Sequence, residues 1–146
     1  MNKPFAALFA ATLAFAALPA FAADHEVRML NRGEAGTMVF EPGALRIEPG
    51  DTVTFIAADP GHNVETIAGM IPEGAETFRT TLGQTVTVTF DVPGVYGLKC
   101  TPHLAMGMVA LIQVGDDAHN IEAVKAVRQP PVAAKRFEAG YAELGL

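Results

Sequence analysis

The feature that most restricts the fold of this chain is a series of short β-branched and aromatic runs, separated by turn residues, across its middle part. One run, Q-T-V-T-V-T-F-D, alternates with a period of two and places Val86, Val88 and Phe90 on one face, which is typical of a half-solvated antiparallel strand. Pro49-Gly50 and Pro93-Gly94 predict turns between strands. The predicted strands lie in V-R-M-L, M-V-F, L-R-I, T-V-T-F-I, T-V-T-V-T-F, V-Y-G-L-K-C and M-V-A-L-I-Q-V. Strands at this spacing predict an all-β sandwich or barrel.

Beyond residue 115 the sequence predicts two helices that pack on the strands, within one domain covering residues 23–146. Asp116 or Asp117 can cap the first helix, which we expect to reach about Val127. Pro131 can begin the second helix. The apolar face of this second helix is predicted to carry Phe137, Tyr141 and Leu144.

The first 22 residues have the pattern of a secretory signal peptide. Lys3 precedes an apolar run, and Ala-Phe-Ala ends at Ala22, after which we expect cleavage. No later apolar run is long enough for a membrane span, so we expect residues 23–146 to be exported and soluble.

The formal charge of −6 becomes one unit more negative without Lys3, and the absence of a basic block argues against a nucleic acid as partner.

The chain contains one cysteine, Cys100. Export favours disulfides, but a chain with a single thiol cannot form one internally. Taken alone, such a cysteine is most simply a small buried apolar residue. Its neighbours favour another role, because His103 and Met108 follow it in the stretch K-C-T-P-H-L-A-M-G-M, around a predicted loop between two strands.

A thiolate, an imidazole and a thioether suit copper that alternates between Cu(I) and Cu(II). Sulfur favours the reduced ion, nitrogen serves both, and a weak axial thioether opposes square-planar Cu(II). Two histidines, one cysteine and one methionine form the blue-copper set, so a second histidine is required. His25 lies near the expected mature amino terminus, and His119 is expected in the first helix. His62, in D-P-G-H-N-V-E after the strand T-V-T-F-I-A, is the histidine that can approach the loop.

These motifs resemble those of the cupredoxins, the type 1 blue copper proteins. The resemblance is carried by G-H-N-V, K-C-T-P-H-x-A-M-G-M, M-V-F-E-P and E-P-G-D-T-V-T-F-I, and it covers nearly all of the processed chain, including both predicted helices. It implies a Greek-key β-sandwich of about eight strands with two C-terminal α-helices packed on it. It also implies one copper ion per chain, with the ligands His62, Cys100, His103 and Met108. Met106 matches a methionine that does not bind copper.

The same resemblance implies roles for residues around the copper. Asn63 is expected to join the two ligand-bearing loops and to point its backbone N–H at the thiolate, and Thr101 belongs to the same surroundings. The electron is expected to leave through the edge of His103, within an apolar patch. The other expected members of this patch are Met38, Pro42, Leu104, Ala105 and Met106.

Pro102 is a candidate for adjusting the reduction potential. It has no N–H to donate to the sulfur of Cys100 two residues earlier. With one donor fewer, the thiolate keeps more electron density and favours Cu(II), so Pro102 is expected to lower the potential. Its ring also stiffens the loop.

Four protein ligands leave a metal no open position for a substrate, so the sequence favours electron transfer over catalysis. The cupredoxins that it most resembles are periplasmic electron donors in denitrification, chiefly to nitrite reductase, and a ring of lysines steers their transient encounters. Cytochromes or another reductase are further expected partners of this chain, which we expect to be monomeric. Arg32, Lys99 and Arg79 keep some basic charge, but Pro60 precedes Gly61, which weakens the expected steering.

Three alternatives remain open from the sequence. A periplasmic copper carrier or buffer would use the same ligands. A hydrolase with Cys100 as nucleophile and His103 as base would need an oxyanion site and an oriented base, and no clear motif for either is present. The processed terminus Ala23-Asp24-His25 could bind Cu(II) in a square plane, although His25 is expected to begin the first strand.

Overall fold

The chain forms a β-sandwich that is followed by two helices. The computed structural model describes residues 21–146, so the expected signal peptide lies almost entirely outside the described residues. The strands are β1 (Asp24–Gly33), β2 (Gly36–Glu41), β3 (Ala44–Ile47), β4 (Asp51–Ile56), β5 (Glu65–Thr66), β6 (Val86–Phe90), β7 (Gly94–Lys99) and β8 (Val109–Val114). A 3-10 helix spans Thr101–Met106, and the α-helices are α1 (Ile121–Ala126) and α2 (Pro131–Leu144).

The strands of the described region form two four-stranded sheets, in the orders β2-β1-β4-β6 and β3-β8-β7-β5. Most neighbouring strands are antiparallel, whereas β1 with β4 and β3 with β8 are parallel. The chain therefore passes repeatedly from one sheet to the other, and the predicted β-sandwich is confirmed. The strand that the sequence did not predict is β5, which has two residues and no periodic pattern.

The main core lies between the two sheets. The predicted inner residues of β6, Val86, Val88 and Phe90, contact this core, while the threonines between them are exposed. Cys100 and Met108 belong to the same core cluster and have no exposed surface. The candidate site is therefore an extension of the core rather than an addition to a surface loop.

A second core lies between the helices and the outer face of the sheet that contains β8. Both faces of β8 are covered, because alternate residues point to the sandwich core and to the helices. The helix α2 begins at Pro131, as predicted. Its predicted apolar face, Phe137, Tyr141 and Leu144, contacts this second core. Neither helix within residues 21–146 combines the length and the apolar sequence needed to cross a membrane.

The predicted start of the first helix was wrong. Asp116 and Asp117 lie outside α1, and Asp117 accepts a hydrogen bond from the backbone N–H of His119 in a turn before the helix. This local side-chain bond competes with helix formation. His119 consequently lies outside α1. The side chain of Asn120 bonds both backbone groups of Val95 on β7, so a long-range contact sets where the helix begins.

The packing of α2 can be tested at Phe137, which is 3% exposed. We predict that Phe137→Ala lowers the free energy of unfolding by about 3–5 kcal/mol, because it leaves a cavity between α2 and β8. Val132→Ala, on the same helix but at a residue that is 45% exposed, should cost less than about 1 kcal/mol. Denaturant unfolding followed by circular dichroism gives both values. Equal losses in the two variants would show that α2 is not anchored through Phe137.

Candidate metal centre

Three side chains that can bind a metal meet at one end of the sandwich. His62 comes from the connection between β4 and β5, Cys100 directly follows β7, and His103 lies in the 3-10 helix. Their ligand atoms all lie within 4.8 Å of one another. The structure therefore brings His62 to the segment that carries Cys100 and His103.

The separations of these atoms fit one metal ion. His62 Nδ1 and His103 Nδ1 are 3.1 Å apart, and Cys100 Sγ lies 3.8 Å and 3.5 Å from them, respectively. A metal ion bonds imidazole nitrogen at about 2.0 Å and thiolate sulfur at about 2.3 Å, and a triangle of this size accommodates those lengths. Two imidazoles and a thiolate form a donor set that suits copper.

Met108 is held beside Cys100 by the backbone. Its carbonyl oxygen accepts a hydrogen bond from Cys100 N–H at 2.9 Å, and its side chain lies fully buried in the core cluster that contains Cys100. Met106 is 45% exposed. Of the two methionines in this segment, Met108 therefore carries the buried thioether and Met106 the exposed one.

The segment between these residues is compact because its backbone bonds are local. The bonds run from His103 N–H to Cys100 O, from Gly107 N–H to Leu104 O and from Met108 N–H to His103 O, at 3.1, 2.9 and 3.1 Å. Gly107 ends the 3-10 helix with φ of 87°, a left-handed value that favours glycine. A Cβ there would lie 2.6 Å from Val132 Cγ1. Glycine at this position therefore lets α2 pack directly on the site.

Two backbone groups partly offset the effect of burial on Cys100. Burial raises the pKa of its thiol, and the N–H groups of Asn63 and His103, which donate to the sulfur, act in the opposite direction. Burial, followed by the influence of His103, lowers the pKa of the His62 imidazole. His62 is therefore in the neutral form that binds metals. A metal that bonds Cys100 must displace the thiol proton.

Asn63 connects the two segments that carry the candidate ligands. Its Oδ1 accepts a hydrogen bond from Thr101 N–H at 2.8 Å, and its Nδ2 donates to Thr101 Oγ1 at 3.1 Å. Thr101 Oγ1 also donates to Glu65 Oε2 at 2.6 Å. These contacts fix the residue after His62 to the residue after Cys100.

Sequence reasoning missed Asn31, which contacts His62 directly. Asn31 Oδ1 lies 2.9 Å from His62 Nε2. Since an amide oxygen can only accept, the imidazole proton is on Nε2, and the lone pair of Nδ1 faces Cys100 and His103. The backbone N–H of Asn31 donates to Asp59 Oδ2 at 2.7 Å. No local pattern could reveal this contact, because 31 residues separate Asn31 from His62.

Arg136, on α2, is the second residue that sequence reasoning missed. Its Nη1 donates to Met38 O at 2.6 Å and to Gly107 O at 2.8 Å, and its Nη2 donates to Thr37 O at 2.8 Å. One guanidinium group thus joins α2 to β2 and to the end of the candidate site loop. The sequence placed a helix here but gave no signal for carbonyl groups 29 to 99 residues away.

The residues of the expected apolar patch differ in exposure. Met38 is half-buried against the sandwich core and Leu104 against the helix core. Ala105, Met106 and Pro42 are exposed, and Pro42 lines a cleft beside α2. His103 is the half-buried member of the three clustered side chains.

Two apolar side chains that sequence reasoning did not include extend this patch. Leu82 is 55% exposed and shares a cleft with Thr101 and Pro102. Val132 is 45% exposed and contacts the position of Gly107. Leu82 lies near the start of the 3-10 helix and Val132 near its end, so exposed apolar groups lie at both ends of this segment.

Basic charge near the site is partly neutralised. Arg79 Nε and Lys99 Nζ lie 3.8 Å and 3.9 Å from the two carboxylate oxygens of Glu65. Arg32 is exposed on β1. Two of the three cations that the sequence offered for steering thus share one anion.

The amino-terminal histidine has a different partner. His25 Nε2 shares a 2.8 Å hydrogen bond with Asp51 Oδ2, and Asp24 and His25 pair with β4. A square-planar Cu(II) site would need the backbone nitrogens of these residues to leave the strand. The structure therefore argues against the amino-terminal copper site.

Comparison with known proteins relates the chain to copper proteins. The family model for copper binding proteins of the plastocyanin/azurin family matches residues 27–115. The pseudoazurin of Paracoccus pantotrophus is 51% identical over 143 residues, which is 98% of each chain. The crystal structure of pseudoazurin from Methylobacterium extorquens AM1 superimposes with a TM-score of 0.81 at 50% identity, over 83% of this chain and 98% of that one. For the pseudoazurin of Hyphomicrobium denitrificans the TM-score is 0.77 at 39% identity, over 82% and 97%.

The role of Asn31 can be tested through metal affinity. We predict that Asn31→Leu weakens copper binding about 10- to 100-fold, because His62 loses the acceptor that orients its ring. Competition with a chelator of known affinity gives the ratio. Asn31→Asp keeps an acceptor and should lose less. Unchanged affinity in Asn31→Leu would show that the core alone orients His62.

Proposed function

Because the chain belongs to the plastocyanin/azurin family of copper binding proteins, and within it to the pseudoazurins, we propose that it carries single electrons between redox proteins in the periplasm. The proposed ligands of its one copper ion are His62, Cys100, His103 and Met108. The observation that carries this proposal is the cluster of two imidazole nitrogens and one thiol sulfur within 4.8 Å. The signal-peptide pattern of the first 22 residues supports the periplasmic location.

The chain supplies a site that is ordered by its own hydrogen bonds. A bound copper ion would contribute one-electron chemistry between Cu(I) and Cu(II). Asn31 orients His62, Asn63 fixes Thr101, and the backbone bond between Cys100 and Met108 closes the segment. Side chains held in this way rearrange little when the charge at the site changes, and this favours rapid electron transfer.

Burial supports a carrier of electrons rather than an enzyme. His62, Cys100 and Met108 have no exposed surface, and with His103 they provide four ligands, which leaves no position for a substrate. The hydrolase alternative needs an accessible thiolate. Cys100 is fully buried and burial raises its thiol pKa, so it is poorly suited to act as a nucleophile.

His103 is the proposed exit for the electron, since it is the partly exposed member of the cluster. Around it we propose a docking patch made of Met38, Pro42, Leu104, Ala105 and Met106, extended by Leu82 and Val132. Apolar surface of this kind suits short-lived complexes. We propose nitrite reductase of denitrification as the main partner, with cytochromes or other reductases as further redox partners of a monomeric chain.

A copper carrier or buffer is the competing function, and reduction with the metal retained distinguishes the two. For the electron carrier, the copper-loaded chain should show an intense thiolate charge-transfer band. This band should disappear on reduction and return on oxidation, with the copper content unchanged over repeated cycles. Rapid loss of Cu(I) to a chelator during these cycles would favour delivery of copper instead.

Pro102 provides a test of how the thiolate adjusts the potential. Pro102→Ala supplies an N–H near Cys100 Sγ, in addition to those of Asn63 and His103. We predict a rise of about 40 mV, the one-electron equivalent of about 1 kcal/mol for a neutral hydrogen bond. Cyclic voltammetry gives the value.

Pro102→Val is the matched control for loop stiffness, since it also supplies an N–H but keeps a stiffer backbone. Both variants should raise the potential by similar amounts. A fall in potential, or a rise in Pro102→Ala alone, would assign the effect to flexibility rather than to the hydrogen bond.

The docking patch can be tested with a charge at Ala105, which is exposed beside His103. We predict that Ala105→Lys slows electron transfer to nitrite reductase about tenfold, equivalent to about 1.4 kcal/mol, because binding must desolvate the ammonium group. The potential should not change. Stopped-flow measurements at fixed ionic strength give the second-order rate constant.

Ala123→Lys adds the same charge at an exposed position on α1 and serves as the control. The helix α1 contacts β7 near Val95, at the end of that strand opposite Cys100. This variant should keep the native rate. Equal slowing in both variants would show that net charge, rather than contact at the patch, controls the reaction.

A further inference from the structure

One buried carboxylate holds the amino end of β1. Asp51, the first residue of β4, is 5% exposed. Its two oxygens accept from Ala23 N–H at 2.7 Å and from Glu48 N–H at 3.0 Å, and His25 Nε2 lies 2.8 Å away. The nitrogen of Ala23 is also the atom that follows the cleavage site expected from the sequence. A buried anion therefore faces the position where a new amino terminus would arise.

Cleavage after Ala22 would change the chemistry of this contact. The neutral amide nitrogen of Ala23 would become an α-ammonium group with a positive charge at the same position. The present bond already has an ionised acceptor, and a cationic donor would add the attraction between opposite charges to it. Salt and water screen such a contact weakly where the carboxylate is buried.

The segment before Ala23 is accessible in the folded domain. Phe21 is 88% exposed, and residues 21–23 lie outside the strands. The contact of Ala23 with Asp51 therefore leaves the preceding peptide bond at the surface. A folded precursor and a processed chain can both place Ala23 against Asp51.

We propose that Asp51 is the receptor for the amino terminus released by cleavage between Ala22 and Ala23, and that the ion pair between them stabilises the processed sandwich. The inference rests on the signal peptide expected from the sequence and is independent of copper binding. It assigns a function to a carboxylate at the end of the sandwich away from the candidate metal centre.

The charge on Asp51 is present over the relevant pH range. The N–H of Ala23, then His25 and the N–H of Glu48, lower the pKa of its carboxyl group to about 2. The other charged or titratable groups beside Asp51 are Asp24 and His25 on β1, the Glu48 side chain before β4 and Asp91 after β6. Glu26, Arg28 and Arg32 lie further along β1, where Glu26 and Arg28 pair with Thr54 and Ile56. Among the described residues, the new ammonium group would therefore meet no lysine or arginine next to Asp51.

The sign of the pH dependence follows from these groups. Pairing with a carboxylate raises the pKa of the α-amino group above its ordinary value of about 8. The added stability is therefore fully present below that value and is lost as the pH rises through the raised pKa. At the acid end it is lost as Asp51 is protonated, as the pH falls towards about 2.

The test compares two forms of the copper-loaded chain that begins at Ala23, one with a free amine and one acetylated at that amine. Acetylation removes the charge but keeps one N–H, as in the precursor. At pH 7 the acetylated form should unfold about 4 °C lower, and the difference should disappear above about pH 10. Calorimetry gives both midpoints.

Two variants assign this difference to one carboxylate. In Asp51→Asn, acetylation should have little effect on the midpoint. Asp24→Asn is the matched control, because Asp24 accepts from the hydroxyl groups of Thr52 and Thr54 rather than from Ala23, and it should keep most of the difference. If Asp51→Asn does not fold, the pKa of the Ala23 amine, measured by NMR in the native chain, should exceed 8 by about one unit or more.

Three results would overturn the inference. They are equal midpoints for the free and acetylated native chains at pH 7, an acetylation effect that persists in Asp51→Asn, and an α-amine pKa near its ordinary value. A first residue other than Ala23, found by mass spectrometry of the exported chain, would overturn the cleavage assignment. None of these measurements depends on electron transfer, so their failure is distinguishable from failure of the proposed function.

Discussion

The hydrogen bond from Cys100 N–H to Met108 O, at 2.9 Å, continues the ladder between β7 and β8 and closes the segment that carries His103. Both strands are central in their sheet and almost completely buried. A shift of one residue in their register would turn the core side chains of β8 toward the helices, and it would turn the helix-facing side chains toward the sandwich core. The positions of Cys100 and Met108 are therefore fixed by the packing of the sandwich, whether or not a metal is bound.

The rest of the site depends on this fixed pair through contacts from other elements. Asn63 attaches the His62 segment to Thr101, and Asn31 sets the ring of His62 from β1. Arg136 attaches α2 to Gly107, directly before Met108. Each contact comes from a different part of the chain, so the geometry of the site is a property of the whole domain. This explains why α2, which packs on the outer face of β8, also contacts the loop of the candidate metal centre.

The sequence predicted most of the fold because its strands and its second helix carry their signals locally. The alternation at Val86, Val88 and Phe90 and the start at Pro131 need no knowledge of distant residues. It failed for β5, because a strand of two residues is too short to show an alternating pattern. It also failed for the start of α1, because that start is set by a hydrogen bond between Asn120 and the distant strand β7. The cluster of His62, Cys100 and His103 could be anticipated because few residues in the chain have the required chemistry. Asn31 and Arg136 could not, since amides and guanidinium groups are common and their partners are distant in sequence.

The charge around the candidate site is controlled by Glu65 more than by the number of cations. This carboxylate lies near both Arg79 and Lys99 and accepts a hydrogen bond from Thr101, next to Cys100. It therefore reduces the positive potential that would attract an acidic partner, and it also holds the segment that carries the thiol. Long-range attraction between the chain and a charged partner weakens when cations are neutralised in this way. The free energy gained by burying apolar surface at contact does not depend on that charge. For the docking proposed above, the exposed apolar groups near the two ends of the 3-10 helix are consequently expected to contribute more than steering by charge.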